Sequence, residues 1–148
     1  MDRQEIIDRL NDLIQLDADA VVAYDHAIRN VKYDDIRTKL TEFQEDHRQH
    51  IQTLTVQVQR LDGRPVKTTP DLKGYLQEGL TALRSITGTE GALLAMQTNE
   101  KQTNKKYAEA HELDFPQEIK SIITVNLSDE QRHLSYIQEI LDTPRREL

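Results

Sequence analysis

The chain contains no cysteine, which excludes disulfide scaffolding, thiolate metal ligation and a cysteine nucleophile. Any metal chemistry must therefore use histidine and carboxylate side chains. Tryptophan is also absent, and 148 residues include only two phenylalanines and five glycines. A sheet protein draws more heavily on aromatic residues and turns, so this shortage favours long amphipathic helices. No apolar run approaches the roughly 20 residues of a membrane span, and Met1-Asp2-Arg3-Gln4-Glu5 lacks the basic-then-apolar start of a secretory signal. The expectation is a cytoplasmic protein with no membrane partner. Nor is there a cluster of lysines and arginines. With a formal net charge of −7, the chain lacks the positive footprint that nucleic acid or an anionic membrane requires. Cations are the more natural partners.

What is present is ordered with helical spacing. Ile6, Leu10, Leu13, Ile14, Tyr24, Ala27 and Ile28 fall on one face, predicting a helix over 3–31 with a capping-box start at Asp2 and Glu5. Ile36, Leu40, Phe43, Leu54 and Val58 predict a second over 35–62, stopped by Gly63 with Pro65 beyond. A linker then leads to a short helix over 71–85 opened by Pro70. Thr87-Gly88-Thr89-Glu90 offers a capping box for a helix over 89–113. Pro116 starts the last, 116–142, which ends near Pro144. The first and last connections are short and the middle one is long. That predicts an all-α, antiparallel four-helix bundle with one long crossover, forming a single domain over 1–148.

A constant offset of 83 positions, the separation of Asp17 and Glu100, also relates Tyr24 to Tyr107 and His50 to His133. It extends to Leu10 with Leu93, Leu40 with Ile123, Asp46 with Asp129, and Leu54 with Ile137. The two hairpins are quasi-repeats, and their polar members lie inside the apolar stripes. Asp17 falls in the core-facing series of the first helix, His47 and His50 in that of the second. Glu100 falls in that of the third, and Glu130 and His133 in that of the fourth. Burying three carboxylates without compensation costs several kcal/mol per ion, more than a domain of modest stability absorbs. No lysine or arginine occupies these central positions. Protons or metal ions remain as neutralisers, and three imidazoles favour metal.

At this point the residues resemble the di-iron or di-manganese carboxylate branch of the ferritin-like superfamily, whose relatives include bacterioferritin and the bundle domain of rubrerythrin. That pattern takes one Glu from each of two helices and a Glu-x-x-His from each of the other two. Glu130 and His133 match it outright, and Glu100 matches the single carboxylate of the third helix. Asp17 stands in the corresponding place on the first with a shorter side chain, and the remaining Glu-x-x-His becomes His47-x-x-His50. A Glu at the His47 position usually bridges the two metals, whereas a neutral imidazole gives one lone pair to one metal. The resemblance therefore implies two metal positions that are chemically unlike, with altered redox tuning, a different metal, or a single occupied position. It further implies that Asp46 and Asp129 hydrogen-bond the histidine of the opposite hairpin, and that Tyr24 and Tyr107 donate to carboxylates across the bundle. Plain alternatives stand beside these roles, with both tyrosines as bundle core and both aspartates as solvated flanks.

The resemblance implies two bound metal ions, iron favoured with manganese or zinc as alternatives. It also implies oxygen or peroxide redox chemistry such as ferrous-iron oxidation, and a homodimer. The competing reading is non-enzymatic: a binding or stress module stabilised by a metal such as zinc, or one whose site holds only protons. His26 and His111 have no partner under the offset and are expected at the surface. Asn126, which the offset pairs with Phe43, falls in the stripe of the last helix and is left outside the site.

Overall fold

The computed structural model describes residues 1–67 and 88–143. They form four helices, α1 (Arg3–Asn30), α2 (Asp34–Arg60), α3 (Thr89–His111) and α4 (Gln117–Asp142). The helix expected over 71–85 and the stop at Pro144 lie outside the described residues. No helix among the described residues is long and apolar enough to cross a membrane.

The helix ends follow local chemistry and correct several expected boundaries. Asp2 caps α1 as expected, its Oδ1 accepting the Glu5 N–H at 2.8 Å. Gly88, at φ +91°, is the N-cap of α3, and no side chain caps that end. Thr87, the capping residue of the expected box with Glu90, lies outside the described residues, and the Thr89 hydroxyl accepts the Lys32 N–H at 3.0 Å. That bond ties the start of α3 to the α1–α2 connection. Pro116 is the N-cap of α4 with an extended ψ of 149°, one residue before the helix it was expected to begin. The expected extension of α3 to residue 113 stops at His111, where Glu112 and Leu113 close the end on the Glu109 and Ala110 carbonyls.

The end of α2 separates two roles that the sequence merges in Gly63. Gly63 N–H reaches Val58 O at 2.9 Å and Asp62 N–H reaches Gln59 O at 3.0 Å, the paired bonds of a Schellman turn. The left-handed residue in it is Asp62, at φ +58°. Gly63 is needed for another reason: a Cβ there would lie 2.9 Å from Ile7 Cδ1 and 3.0 Å from Ile7 Cγ1 and Cγ2. The close approach lets α2 seat against α1.

The pairing is antiparallel throughout. α1 packs on both α2 and α3, α3 on α4, and α2 meets α4 over a smaller contact. Tyr24 reaches Glu100 while Tyr107 reaches Asp17, so α1 and α3 run in opposite directions. His50 to Asp129 and His133 to Asp46 show the same for α2 and α4. Two apolar layers fill the core. One gathers Leu10, Ile14, Leu54, Val58, Ile119 and Ile123; the other gathers Ala27, Ile36, Leu40, Leu93, Met96 and Ile137. Each fully buried aliphatic side chain in them contributes about 1.5–3 kcal/mol, which lets the bundle tolerate the polar layer held between them.

Gly63→Ala is expected to lower the unfolding free energy by about 1–3 kcal/mol through overpacking against Ile7. Asp62→Gly in the same turn should change it by less than about 1 kcal/mol, because glycine trades relief of the left-handed strain against unfolded-state entropy. Denaturant melts of the two variants check the assignment, and equal effects would refute it.

Candidate metal centre

Between the two apolar layers, all four helices turn ionisable groups inward. Asp17, His47, Glu100, Glu130 and His133 are fully buried and His50 is 2% exposed. Helical spacing explains the convergence: His47 with His50 and Glu130 with His133 stand three residues apart on one face, while α1 and α3 each supply one carboxylate between apolar turns.

His47 occupies the middle of the cluster. Its Nδ1 lies 2.7 Å from Asp17 Oδ1 and 3.4 Å from Glu130 Oε1, and its Nε2 lies 3.2 Å from Glu100 Oε1. His50 Nδ1 is 3.1 Å from Asp17 Oδ1 and 3.4 Å from Glu130 Oε1. On the other side, His133 Nδ1 is 3.4 Å from Glu100 Oε1 and 3.6 Å from Glu130 Oε2. The six residues thus fall into two overlapping groups, Asp17–His47–His50–Glu130 and His47–Glu100–Glu130–His133, with the ligand atoms of each within 4.8 Å of one another. His47 and Glu130, paired by the offset of 83, are the members common to both.

The surrounding side chains hold this arrangement. Tyr107 donates to Asp17 Oδ2 at 2.5 Å, and Tyr24 donates to Glu100 Oε1. Asp129 Oδ2 meets His50 Nε2 at 2.9 Å and Asp46 Oδ2 meets His133 Nε2 at 2.8 Å. These bonds leave the Nδ1 of both histidines facing the interior. Among the described residues, Glu130 Oε1 and His133 Nδ1 are buried atoms with no hydrogen-bond partner, which is costly unless something else satisfies them. A donor set of carboxylate oxygens and imidazole nitrogens, two of its buried atoms without a hydrogen bond, fits a divalent transition metal.

Several contributors escape sequence reasoning. The Thr103 hydroxyl bridges Glu100 Oε2 at 3.0 Å and Glu130 Oε2 at 2.9 Å, and Asn104 spans the Glu100 and Glu130 backbone carbonyls. A small polar residue in an apolar stripe is a weak signal, since threonine also packs as a hydrophobe. Asn126 donates to the Tyr107 hydroxyl at 3.3 Å, and Phe43 stacks on His133 with ring centroids 4.3 Å apart. Arg132 lies across Asp46 and Asp129. His26 and His111 are partly exposed and belong to neither ligand group.

The fold and this buried layer define a ferritin-like helical bundle. A solved structure described as "Crystal structure of ferritin like, diiron-carboxylate proteins from Bacillus anthracis str. Ames" superposes with a TM-score of 0.73, covering 96% of this chain and 100% of that one. Sequence identity is 17%, so the likeness is one of fold. The model of the family described as "Domain of unknown function (DUF2383)" matches residues 5–113, and the chain belongs to that family. No curated protein matches it.

With no metal bound, protons must balance the same charges. Burial disfavours the His50 imidazolium, but hydrogen bonds to Asp129 and Asp17 and the nearby Glu130 carboxylate outweigh it and push its pKa up to about 12. For His133 burial is likewise overcome, by Asp46, Glu100 and Glu130, and the value rises to about 9. His47 is raised against its burial by the Glu130 charge and its bonds to Asp17 and Glu100. Asp17 and Glu100 are held below the usual carboxylate range despite burial by their histidine partners, whereas burial and the Glu100 charge raise Glu130. A raised histidine adds stability that is complete below its ordinary value of 6.5 and is lost as pH climbs to the folded value. The lowered carboxylates act oppositely, losing their contribution as pH falls below the ordinary values of 3.8 for Asp17 and 4.5 for Glu100. The metal-free protein should therefore melt at a higher temperature near pH 5–6 than at pH 9. Thermal melts across that range check this, and a melting temperature that holds or rises toward pH 9 would contradict it.

Proposed function

We propose that this chain, as one ferritin-like domain over residues 1–148, binds two transition-metal ions through Asp17, His47, His50, Glu100, Glu130 and His133. Iron is the favoured metal. The observation that carries the reading is the convergence of three buried carboxylates and three buried imidazoles on one point, with Glu130 Oε1 and His133 Nδ1 lacking a hydrogen-bond partner. Hard oxygen donors mixed with imidazole suit iron or manganese, and di-metal carboxylate proteins of the ferritin-like fold build their metal pair from inward-facing carboxylates and histidines of this kind.

When bound, iron supplies one-electron redox chemistry toward oxygen or peroxide, and ferrous-iron oxidation is the activity proposed. The chain's own groups have separable tasks. Asp17 and Glu100 bring negative charge that favours an oxidised cation, and the tyrosine hydroxyls orient those carboxylates. Asp46 and Asp129 fix the ring orientation of His133 and His50 and raise their basicity as ligands. The two apolar layers keep bulk water from the centre.

His47 supports a second reading. It stands where a carboxylate would bridge, and an imidazole adds no charge there. A zinc-stabilised, non-enzymatic bundle follows if the site holds a metal that does not change oxidation state.

Anaerobic addition of ferrous iron to metal-free protein, followed by admission of oxygen, tests both. The expected result is binding of about two ions per chain and oxygen uptake, with Glu100→Gln losing both and His47→Glu retaining binding. Asn at position 46 or 129 should weaken binding about 10–100-fold. Stoichiometric zinc without oxygen uptake favours the second reading. Failure to bind any metal, with a melting temperature indifferent to chelator, rejects both.

A further inference from the structure

The two aspartates that orient the ligand histidines share one neighbour. Arg132 Nη2 donates to Asp46 Oδ2 at 2.7 Å and to Asp129 Oδ1 at 3.3 Å. Side-chain exposure falls stepwise along this line. It is 52% at Arg132, 30% at Asp46 and 28% at Asp129, then 3% at His50 and 0% at His133. A file of charged and polar groups therefore runs from solvent to the buried centre. It follows the α2–α4 seam, the least extensive of the contacts between packed helices.

We propose that this seam is the route by which a divalent cation reaches the buried ligands, and that Arg132 is its gate. The proposal rests on the metal-binding reading above. Approach along the bundle axis would require a hydrated cation to cross one of the two apolar layers, where it would shed water with nothing in exchange. On the α1–α3 side, the fully buried Tyr24 and Tyr107 close off the centre. Among the described residues, half-buried carboxylates bond directly to the ligand histidines only along α2–α4.

Arg132 closes this mouth by charge and by position. Its guanidinium neutralises both aspartates and repels an arriving cation. It also lies over the Phe43 ring, 5.6 Å from the centroid, and that ring in turn covers His133. Both of its ion pairs reach solvent, so they are weak enough to open. The gate is one-sided. The residue that the 83-position offset pairs with Arg132 is Gln49, an exposed side chain that bonds Glu45 at 3.2 Å. One arginine serves both carboxylates.

The test is the rate of Co(II) uptake by metal-free protein, followed by the cobalt absorption bands in a stopped-flow instrument, beside an equilibrium Co(II) titration. The proteins are the wild type, Arg132→Gln and Arg132→Lys. Removing the guanidinium leaves two carboxylates at the mouth, so Arg132→Gln should take up cobalt roughly tenfold faster, with a steeper dependence on salt. It should release cobalt faster as well, so that affinity changes less than either rate. Arg132→Lys should keep the slow uptake. An arginine that only braced the aspartates would, when removed, lower affinity without accelerating uptake. Unchanged or slower uptake by Arg132→Gln, with normal binding by the wild type, overturns the gate and leaves the metal reading intact. No cobalt binding by the wild type overturns both.

Discussion

The structure depends on the mutual neutralisation of six ionisable side chains at the centre of the bundle. Asp17, Glu100 and Glu130 are fully removed from water, a state that costs several kcal/mol per charge without a partner. Every carboxylate there has a histidine within 3.6 Å, and each histidine is in turn held by more than one acid. The cost explains why the polar layer is thin, why two apolar layers enclose it, and why Tyr24 and Tyr107 spend their hydroxyls on Glu100 and Asp17. It also explains why protons and metal compete for the same atoms. Imidazolium ions satisfy the acids in the absence of metal, and a metal ion must displace those protons to reach the same lone pairs.

The pseudo-twofold relation between the hairpins organises this layer. Antiparallel packing of α1 with α3 and of α2 with α4 makes each hairpin supply what the other lacks: a tyrosine for the opposite carboxylate, an aspartate for the opposite histidine. Such reciprocity requires that both hairpins keep the same register, and the constant offset of 83 positions is its trace in the sequence.

That trace made the centre legible without coordinates. A polar residue inside an apolar stripe has no reason to be there unless it is satisfied, and six at matching positions make a layer. The helix ends were less legible, because they turn on single contacts. Gly63 reads as a left-handed terminator, yet Asp62 takes that conformation and the glycine serves the approach of Ile7. Thr89 reads as the first residue of a helix, yet its hydroxyl also ties that end to the α1–α2 connection. Arg132 and Thr103 were missed for a related reason. An arginine on a charged helix face and a threonine in a core stripe are each common, and only three-dimensional proximity distinguishes these two.

The departures from exact repetition cluster on one side of the centre. The offset pairs Glu130 with His47, Thr103 with Ala20, Asn104 with Val21, and Arg132 with Gln49. In the last three pairs the residue from the second hairpin forms the bond that matters at the site. Thr103 joins the two glutamates, Asn104 joins their backbones, and Arg132 joins the two aspartates. The first hairpin offers apolar packing at two of these places and, at His47, an imidazole with one nitrogen toward each half of the cluster. The two halves therefore differ in rigidity as well as charge. Glu100 and Glu130 are locked to each other through Thr103, whereas Asp17 is held by one tyrosine and shared between two histidines. A metal pair in such a frame would meet one preorganised pocket and one adjustable pocket. On the proposed metal-binding reading, unequal occupancy would follow from this frame as well as from His47.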